Sequence, residues 1–184
     1  MITYTRSTSE EELKQVLQLQ QRNLPVSVSE ADQKTEGFVT VVHDLELLKA
    51  MHDTCPHILA KDGDTVVGYA LSMHPDFGER IEVLKPMFEQ INTILNSPQP
   101  MPQQLRHDFV VMGQICVDKA YRKQGIFRNL YTTMRVQLLP PFSAIITEVD
   151  AKNERSLNAH YAVGFEELGN YTAGGQEWVL LSLK

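Results

Sequence analysis

Apolar and polar positions change their period several times along the chain, and each change predicts an element. Residues 2–6 alternate as a short strand does. Ser9, with Glu12 three residues on, has the spacing of a capping box and opens a helix on Leu13, Val16, Leu17 and Leu24. Residues 25–39 are polar and read as a loop, and a second helix is expected over about 42–52 on Val42, Leu45, Leu48 and Met51. A strand at 57–61, a tight turn at Asp62 and Gly63, and a strand at 65–73 form a hairpin signature. Residues 75–107 then carry Ile81, Leu84, Phe88, Ile91 and Leu95 at helical spacing, with Pro86 expected to kink or restart the helix. Residues 96–104 hold three prolines and read as a loop.

The second half is more regular. Residues 109–117 are apolar and β-branched enough for a strand. From Lys123 the period becomes helical on Phe127, Leu130, Tyr131, Met134 and Leu138, and Pro140 and Pro141 end it. A strand covers 143–149, Asn153 caps a helix that ends at Gly164, and two strands follow at about 165–171 and 176–183. The order β-α-α-β-β-(α)-β-α-β-α-β-β predicts an α/β chain with a mixed sheet and helices on both faces, a three-layer α/β/α arrangement of about seven strands.

Composition narrows the class. The 184 residues fit one medium domain, 1–184, carrying a helical insert at about 75–107. With 42% hydrophobic and 22% charged residues the chain is expected to fold, and no run approaches the ~18 apolar residues of a membrane span. Two cysteines, Cys55 and Cys116, are too few for a disulfide scaffold or a four-cysteine zinc site. The acidic, polar start does not look like a signal peptide, so a cytoplasmic location is expected. A formal net charge of -6 argues against nucleic acid as a partner. Against that background, residues 119–147 hold five basic side chains, Lys119, Arg122, Lys123, Arg128 and Arg135, and no acid.

Those charges surround Gly125, in a segment that joins a strand to a helix. A helix N-terminus offers amides with no partner inside the helix and a partial positive charge, which suits a phosphate group. Gly125 lets the backbone approach a ligand closely. Neither G-x-x-x-x-G-K-[ST] nor G-x-G-x-x-G occurs, so a triphosphate P-loop and a Rossmann fingerprint are both absent.

The stretch YRKQGIFRNLY (121–131) resembles motif A of the GNAT superfamily of acyl-CoA-dependent N-acetyltransferases, [R/Q]-x-x-G-x-[G/A], with Arg122 at the first position and Gly125 at the glycine. Phe127 stands where the pattern wants a small residue. Residues 153–169 resemble motif B, and the resemblance extends over about 56–183. It implies acetyl-CoA as co-substrate, no metal, and a splay between the fourth and fifth strands. The pantetheine arm is then expected against the backbone of Ile115, Cys116 and Val117. The diphosphate is expected on the loop formed by Arg122, Lys123, Gln124, Gly125, Ile126, Phe127 and Arg128. Asn153 is implied beside the arm, although a helix cap explains it too. Tyr161 is implied as the acid that protonates the leaving thiolate, although its place four residues after Leu157 also fits a core position.

Acetyl transfer needs an uncharged amine, a positioned electrophile and an acid for the leaving group. Glu148 is taken as the base, with Asp150 as its competitor; both fall in the region that lines the acceptor cleft in the family. The resemblance builds the acceptor groove from residues 20–45 and a loop at 170–175. Its occupant is a primary amine of a small molecule or peptide, for which negative net charge favours a cation. The insert is available to shape the acceptor site or a homodimer contact. His52, Asp53, Cys55 and His57 sit together in sequence, but a helix end and a strand do not present them as one ligand set. A module that binds acyl-CoA without turnover is the alternative.

Overall fold

The computed structural model describes residues 1–27, 39, 41–78, 80–96, 108–139 and 141–184. Its strands and longer helices run β1 (Ile2–Arg6), α1 (Glu10–Arg22), α2 (Leu45–Thr54), β2 (Ile58–Asp62), β3 (Thr65–Met73), α3 (Lys85–Leu95), β4 (Phe109–Val117), α4 (Ile126–Leu138), β5 (Ala144–Asp150), α5 (Glu154–Ala162), β6 (Glu166–Ala173) and β7 (Gln176–Leu183). The seven strands are ordered β1-β2-β3-β4-β5-β7-β6. Two compact units make up the chain: Met1–Met73 with Met112–Gln137, and His74–Val111 with Leu138–Lys184.

In the first unit, Ser9 caps α1 by accepting from the Glu12 amide, while the Glu12 carboxylate reaches back to the Thr8 amide at 2.6 Å and takes Lys61 at 2.7 Å. The capping-box spacing thus has a tertiary partner as well. Leu13, Val16 and Leu19 of α1 and Leu48 and Met51 of α2 are buried, as are Leu59, opposite Tyr69 in the register, and Leu71 of the sheet. Each such side chain contributes about 1.5–3 kcal/mol through burial. The second helix begins at Leu45, three residues later than the apolar spacing suggests, because Asp44 caps it by accepting from the Leu47 amide at 2.7 Å. Asp62 pairs with Thr65, so the hairpin turn is Gly63 and Asp64, with Gly63 at φ 58°.

The two faces of β3 meet different helices. Tyr69 hydrogen-bonds Gln114, which also holds Gln20 of α1. Gly68, pointing the opposite way, sits tightly: a Cβ on it would lie 3.2 Å from both the Cys116 carbonyl oxygen and Ile126 of α4. Helices α1 and α4 therefore cover opposite faces.

The second unit repeats this arrangement. Glu148, Leu180 and Gly169 lie in one row across β5, β7 and β6, and a Cβ on Gly169 would stand 3.3 Å from Ile94 of α3. Thr147, Leu181 and Glu167 lie in the neighbouring row on the opposite face, where α5 reaches Glu167 through Tyr161. Pro86 restarts the insert helix as expected: a short 3-10 turn, Glu82–Leu84, precedes α3. The parallel register of β4 with β5 covers Phe109–Val111 against Ala144–Ile146, and β5 runs on to Asp150 paired with β7. Pairing over one end of the two strands is the pattern a splay requires. Most of the expected loop at 25–39, the residues from 97 to 107 and Pro140 lie outside the described residues.

Gly68→Val is expected to destabilise the protein by about 1–3 kcal/mol, since a larger side chain presses on a backbone carbonyl and on the buried Ile126. Gly113→Ala, at a position with nothing within 4 Å, is the control and leaves stability unchanged. Urea unfolding of the two variants checks this; equal midpoints would show that Gly68 is not tightly enclosed.

Candidate active site

In the first unit the end of β4 leads directly into the basic segment. The Asp118 amide donates to Val67 of β3 at 2.9 Å, and its carboxylate accepts from Arg22 at 3.1 Å and from the Ala120 amide at 3.0 Å. Arg122 turns its guanidinium back into the protein: Nε donates to the Val117 carbonyl at 3.1 Å and Nη2 to Asn23 Oδ1 at 2.7 Å. The loop is thereby tied to both β4 and the end of α1, so Arg122 shapes the turn that its sequence position only suggests. Beyond it, Lys123 adopts φ 63° and Gly125 φ 78°. A left-handed lysine is uncommon, and such residues bend the backbone into concavities that suit anions. α4 starts at once, with its first-turn amides pointing back along the axis.

The side chains of this segment divide by exposure. Lys123, Gln124, Gly125 and Arg128 are exposed, Ile126 is buried, and Phe127 is half-buried against Tyr131 in an edge-on contact, ring centroids 5.2 Å apart.

On β4, Ile115 and Val117 are half-buried and Cys116 is buried. Burial pushes the Cys116 thiol up to about 12, which keeps it protonated and unsuited to carrying an acyl group. Gln114 accepts from Tyr69 at 2.6 Å and from Gln20 at 2.8 Å, and donates to the Val41 carbonyl at 2.8 Å. Gln20 in turn accepts from the His43 amide and donates to its ring, both at 2.9 Å. Burial holds His43 down to about 4, so its ring is neutral. The sequence pattern gives no sign of this network, because its members come from four separate segments.

In the second unit two phenol–carboxylate pairs lie on opposite faces of the sheet. Tyr161, on α5 and 38% exposed, donates its hydroxyl to Glu167. That bond, and the negative charge behind it, raise the phenol to about 12. On the other face, Tyr171 of β6 donates to the half-buried Glu148 of β5. Burial raises Glu148 from 4.5 to about 7, and the Tyr171 hydrogen bond offsets part of the rise. Asp150 is committed elsewhere, accepting from the Lys152 amide at 2.8 Å and from Gln176 at 3.1 Å. Asn153 caps α5, its Oδ1 accepting from the Ser156 amide at 3.1 Å.

The sequence model of the Acetyltransferase (GNAT) family matches residues 13–165. The chain belongs to the GNAT acetyltransferase family. It is therefore an acyltransferase whose acyl donor is acetyl-CoA. No curated protein matches it. Solved structures share the fold at low identity. The ribosomal-protein-S18-alanine N-acetyltransferase from Escherichia coli has a TM-score of 0.62 at 14% identity, over 100% of this chain and 93% of that one. An N-acetyltransferase from Staphylococcus aureus Mu50 has a TM-score of 0.62 at 16% identity, over 100% and 98%. yncA from Salmonella typhimurium, solved with acetyl-CoA, has a TM-score of 0.61 at 12% identity, over 100% and 94%.

For a GNAT acetyltransferase the loop at 122–128 is suited to the donor: two left-handed residues and a helix start stand at the glycine of motif A, and a Cβ on Gly125 or Gly113 would meet nothing within 4 Å. β6 runs on to Ala173, two residues past the expected strand end at 171, because the turn shortens to Gly174 and Gly175, at φ 59° and 76°. Tyr171 thus lies within the sheet. The histidine–cysteine cluster is committed to structure. His52 pairs with the Ser7 hydroxyl at 2.8 Å, Asp53 takes Lys49 at 2.8 Å, and the His57 ring accepts from the Ser72 amide at 3.1 Å. Among the described residues no group of three or more His, Cys, Asp or Glu is placed to hold a metal ion, and no helix is long and apolar enough to cross a membrane.

Glu148 also leaves a signature in stability. Between pH 4.5 and about 7 the folded state keeps a proton that the unfolded chain has released. Stability from this group is full below that window and is lost as pH rises through it. Glu148→Gln is thus expected to raise the melting temperature at pH 8, by an amount that vanishes at pH 4.5. Each pH unit of displacement corresponds to about 1.4 kcal/mol. Melting curves at the two pH values check it, and an equal gain at both would refute the displaced carboxyl.

Proposed function

We propose that this enzyme moves the acetyl group of acetyl-CoA onto the primary amine of an acceptor by direct attack in a ternary complex. The observation that carries the reading past the family assignment is Glu148, a carboxylate held near neutrality by burial. A base works best when its pKa lies near the working pH. Glu148 takes a proton from the acceptor ammonium and leaves a neutral nitrogen. Acetyl-CoA supplies an acyl carbon made electrophilic by its thioester; the new C–N bond forms there as the C–S bond breaks. Tyr161 is protonated throughout the neutral range and gives its proton to the departing sulfur, exchanging Glu167 for the thiolate, while solvent carries away the second proton of the acetylated nitrogen and reprotonates the phenol.

Donor binding falls to the first unit. Main-chain groups of Ile115, Cys116 and Val117 line the pantetheine arm, and the amides of Arg122, Lys123, Gln124, Gly125, Ile126, Phe127 and Arg128 hold the diphosphate. Asn153 lies beside the arm while capping α5. Residues 1–184 act as one acetyltransferase domain in the cytoplasm, on a cationic small-molecule or peptide amine, without nucleic acid, membrane or metal. The acidic net charge supports the cationic acceptor by steering encounter.

Gly125→Asp is expected to weaken CoA binding in calorimetry by at least about tenfold, because it adds charge and a side chain at a left-handed position. Unchanged affinity would remove the loop from the site. Tyr161→Phe is expected to slow thiol release with a reactive amine by about 10- to 100-fold, the low end for a general acid. If CoA raises the melting temperature yet no amine in a broad panel is acetylated, the protein is an acyl-CoA sensor.

A further inference from the structure

Tyr171 comes to Glu148 from across a strand. In the sheet order β5-β7-β6, β7 separates the two residues, and Tyr171 stands opposite Trp178 while Glu148 stands opposite Leu180. The phenol therefore lies diagonally over β7 to place its hydroxyl on the carboxylate. A two-residue Gly–Gly turn and a register shift between Glu167 and Gly169 fix where along β6 that tyrosine falls. Trp178 beside it is held in turn, its indole N–H donating to the Ala173 carbonyl at 3.3 Å. The acidic groups on the same face are Asp150, which is held by Lys152 and Gln176, and Glu166. The helix packed there, α3, brings Gln90 and Ile94 to Gly169 and carries Lys85, paired with Glu82 at 2.6 Å, and Glu89. β4 adds only Phe109, Val110 and Val111.

We infer that Tyr171 is a positioning residue for the proton-accepting step, fixing the orientation of the Glu148 carboxylate and favouring its ionised form. The inference rests on the reading of Glu148 as the base. Tyr171 keeps its own proton throughout: burial and the adjacent carboxylate raise the phenol far above the neutral range. When Glu148 accepts the acceptor's proton, the hydroxyl stays hydrogen-bonded to the same carboxyl group, so the bond strengthens and weakens without any transfer. A hydrogen bond to the charged form of an acid lowers its pKa. The effect belongs in the pH profile rather than in donor affinity.

The test is the pH dependence of kcat/KM, with acetyl-CoA and a reactive amine, for the wild-type protein, Tyr171→Phe and Glu148→Gln. Tyr171→Phe is expected to move the acid limb up by about one pH unit, with activity at pH 9 within a few-fold of wild type and CoA affinity unchanged. Glu148→Gln is expected to abolish that limb. If Glu148→Gln keeps the limb, the base assignment fails. If Glu148→Gln removes it and Tyr171→Phe leaves it in place, the base assignment stands and the role of Tyr171 is refuted. Should Tyr171→Phe not fold, NMR of the unaltered protein decides. The Tyr171 ring Cζ resonance is expected to shift with the same midpoint as the Glu148 carboxyl, and a Tyr171 signal that ignores that titration overturns the inference.

Discussion

A helix that begins where a strand has just ended must leave amide donors without partners inside the helix, and the first unit holds this junction in a fixed shape. Arg122 does much of the holding. Its guanidinium bonds the last carbonyl of β4 and the side chain of Asn23, and Asp118 adds a tie to Arg22 and a backbone bond to β3. With the two ends fixed, the chain between them turns through left-handed conformations at Lys123 and Gly125. Such conformations persist only where the surroundings enforce them, at about 1–3 kcal/mol each for a residue with a side chain. The motif arginine thus shapes the backbone of the loop.

In the second unit, pairing geometry places two phenol–carboxylate pairs on opposite faces of the sheet. Alternation along β5 and β6 sends Glu148 and Tyr171 to one face and Glu167 to the other, where Tyr161 meets it. Environment separates them as well. Burial raises Glu148 toward neutrality, whereas Tyr161 is exposed and owes its raised pKa to a carboxylate partner. Asp150, two residues along the same strand, has its carboxylate satisfied by a turn amide and Gln176. Glu148, by contrast, is raised by burial and has the Tyr171 hydroxyl on its carboxylate.

Much of this was legible in the residues. Strand bounds at 2–6, 65–73, 109–117 and 176–183 follow from alternation or apolar runs, and the caps at Ser9 and Asn153 were visible from side-chain chemistry. Errors arose where a cap or turn set an element's edge. Asp44 moved the second helix start, and the Gly174–Gly175 turn extended β6 by two residues beyond the expected end. Motif A was readable because a glycine, a basic pair and a strand-to-helix change fall within a dozen residues. The buried network of Gln20, His43, Tyr69 and Gln114 was not, since nothing local marks glutamines that meet over long separations.

The sequence by itself determined the element order, the glycine and basic side chains at a strand-to-helix junction, and the presence of Glu148 and Asp150 on one strand, because each depends on neighbours within one turn or one strand. Only the tertiary structure showed Glu148 raised by burial, Asp150 held by a turn amide and Gln176, and Tyr171 donating to Glu148. These outcomes depend on strand order, register and depth of burial, which arise from contacts between segments distant in the chain, and no periodicity encodes them.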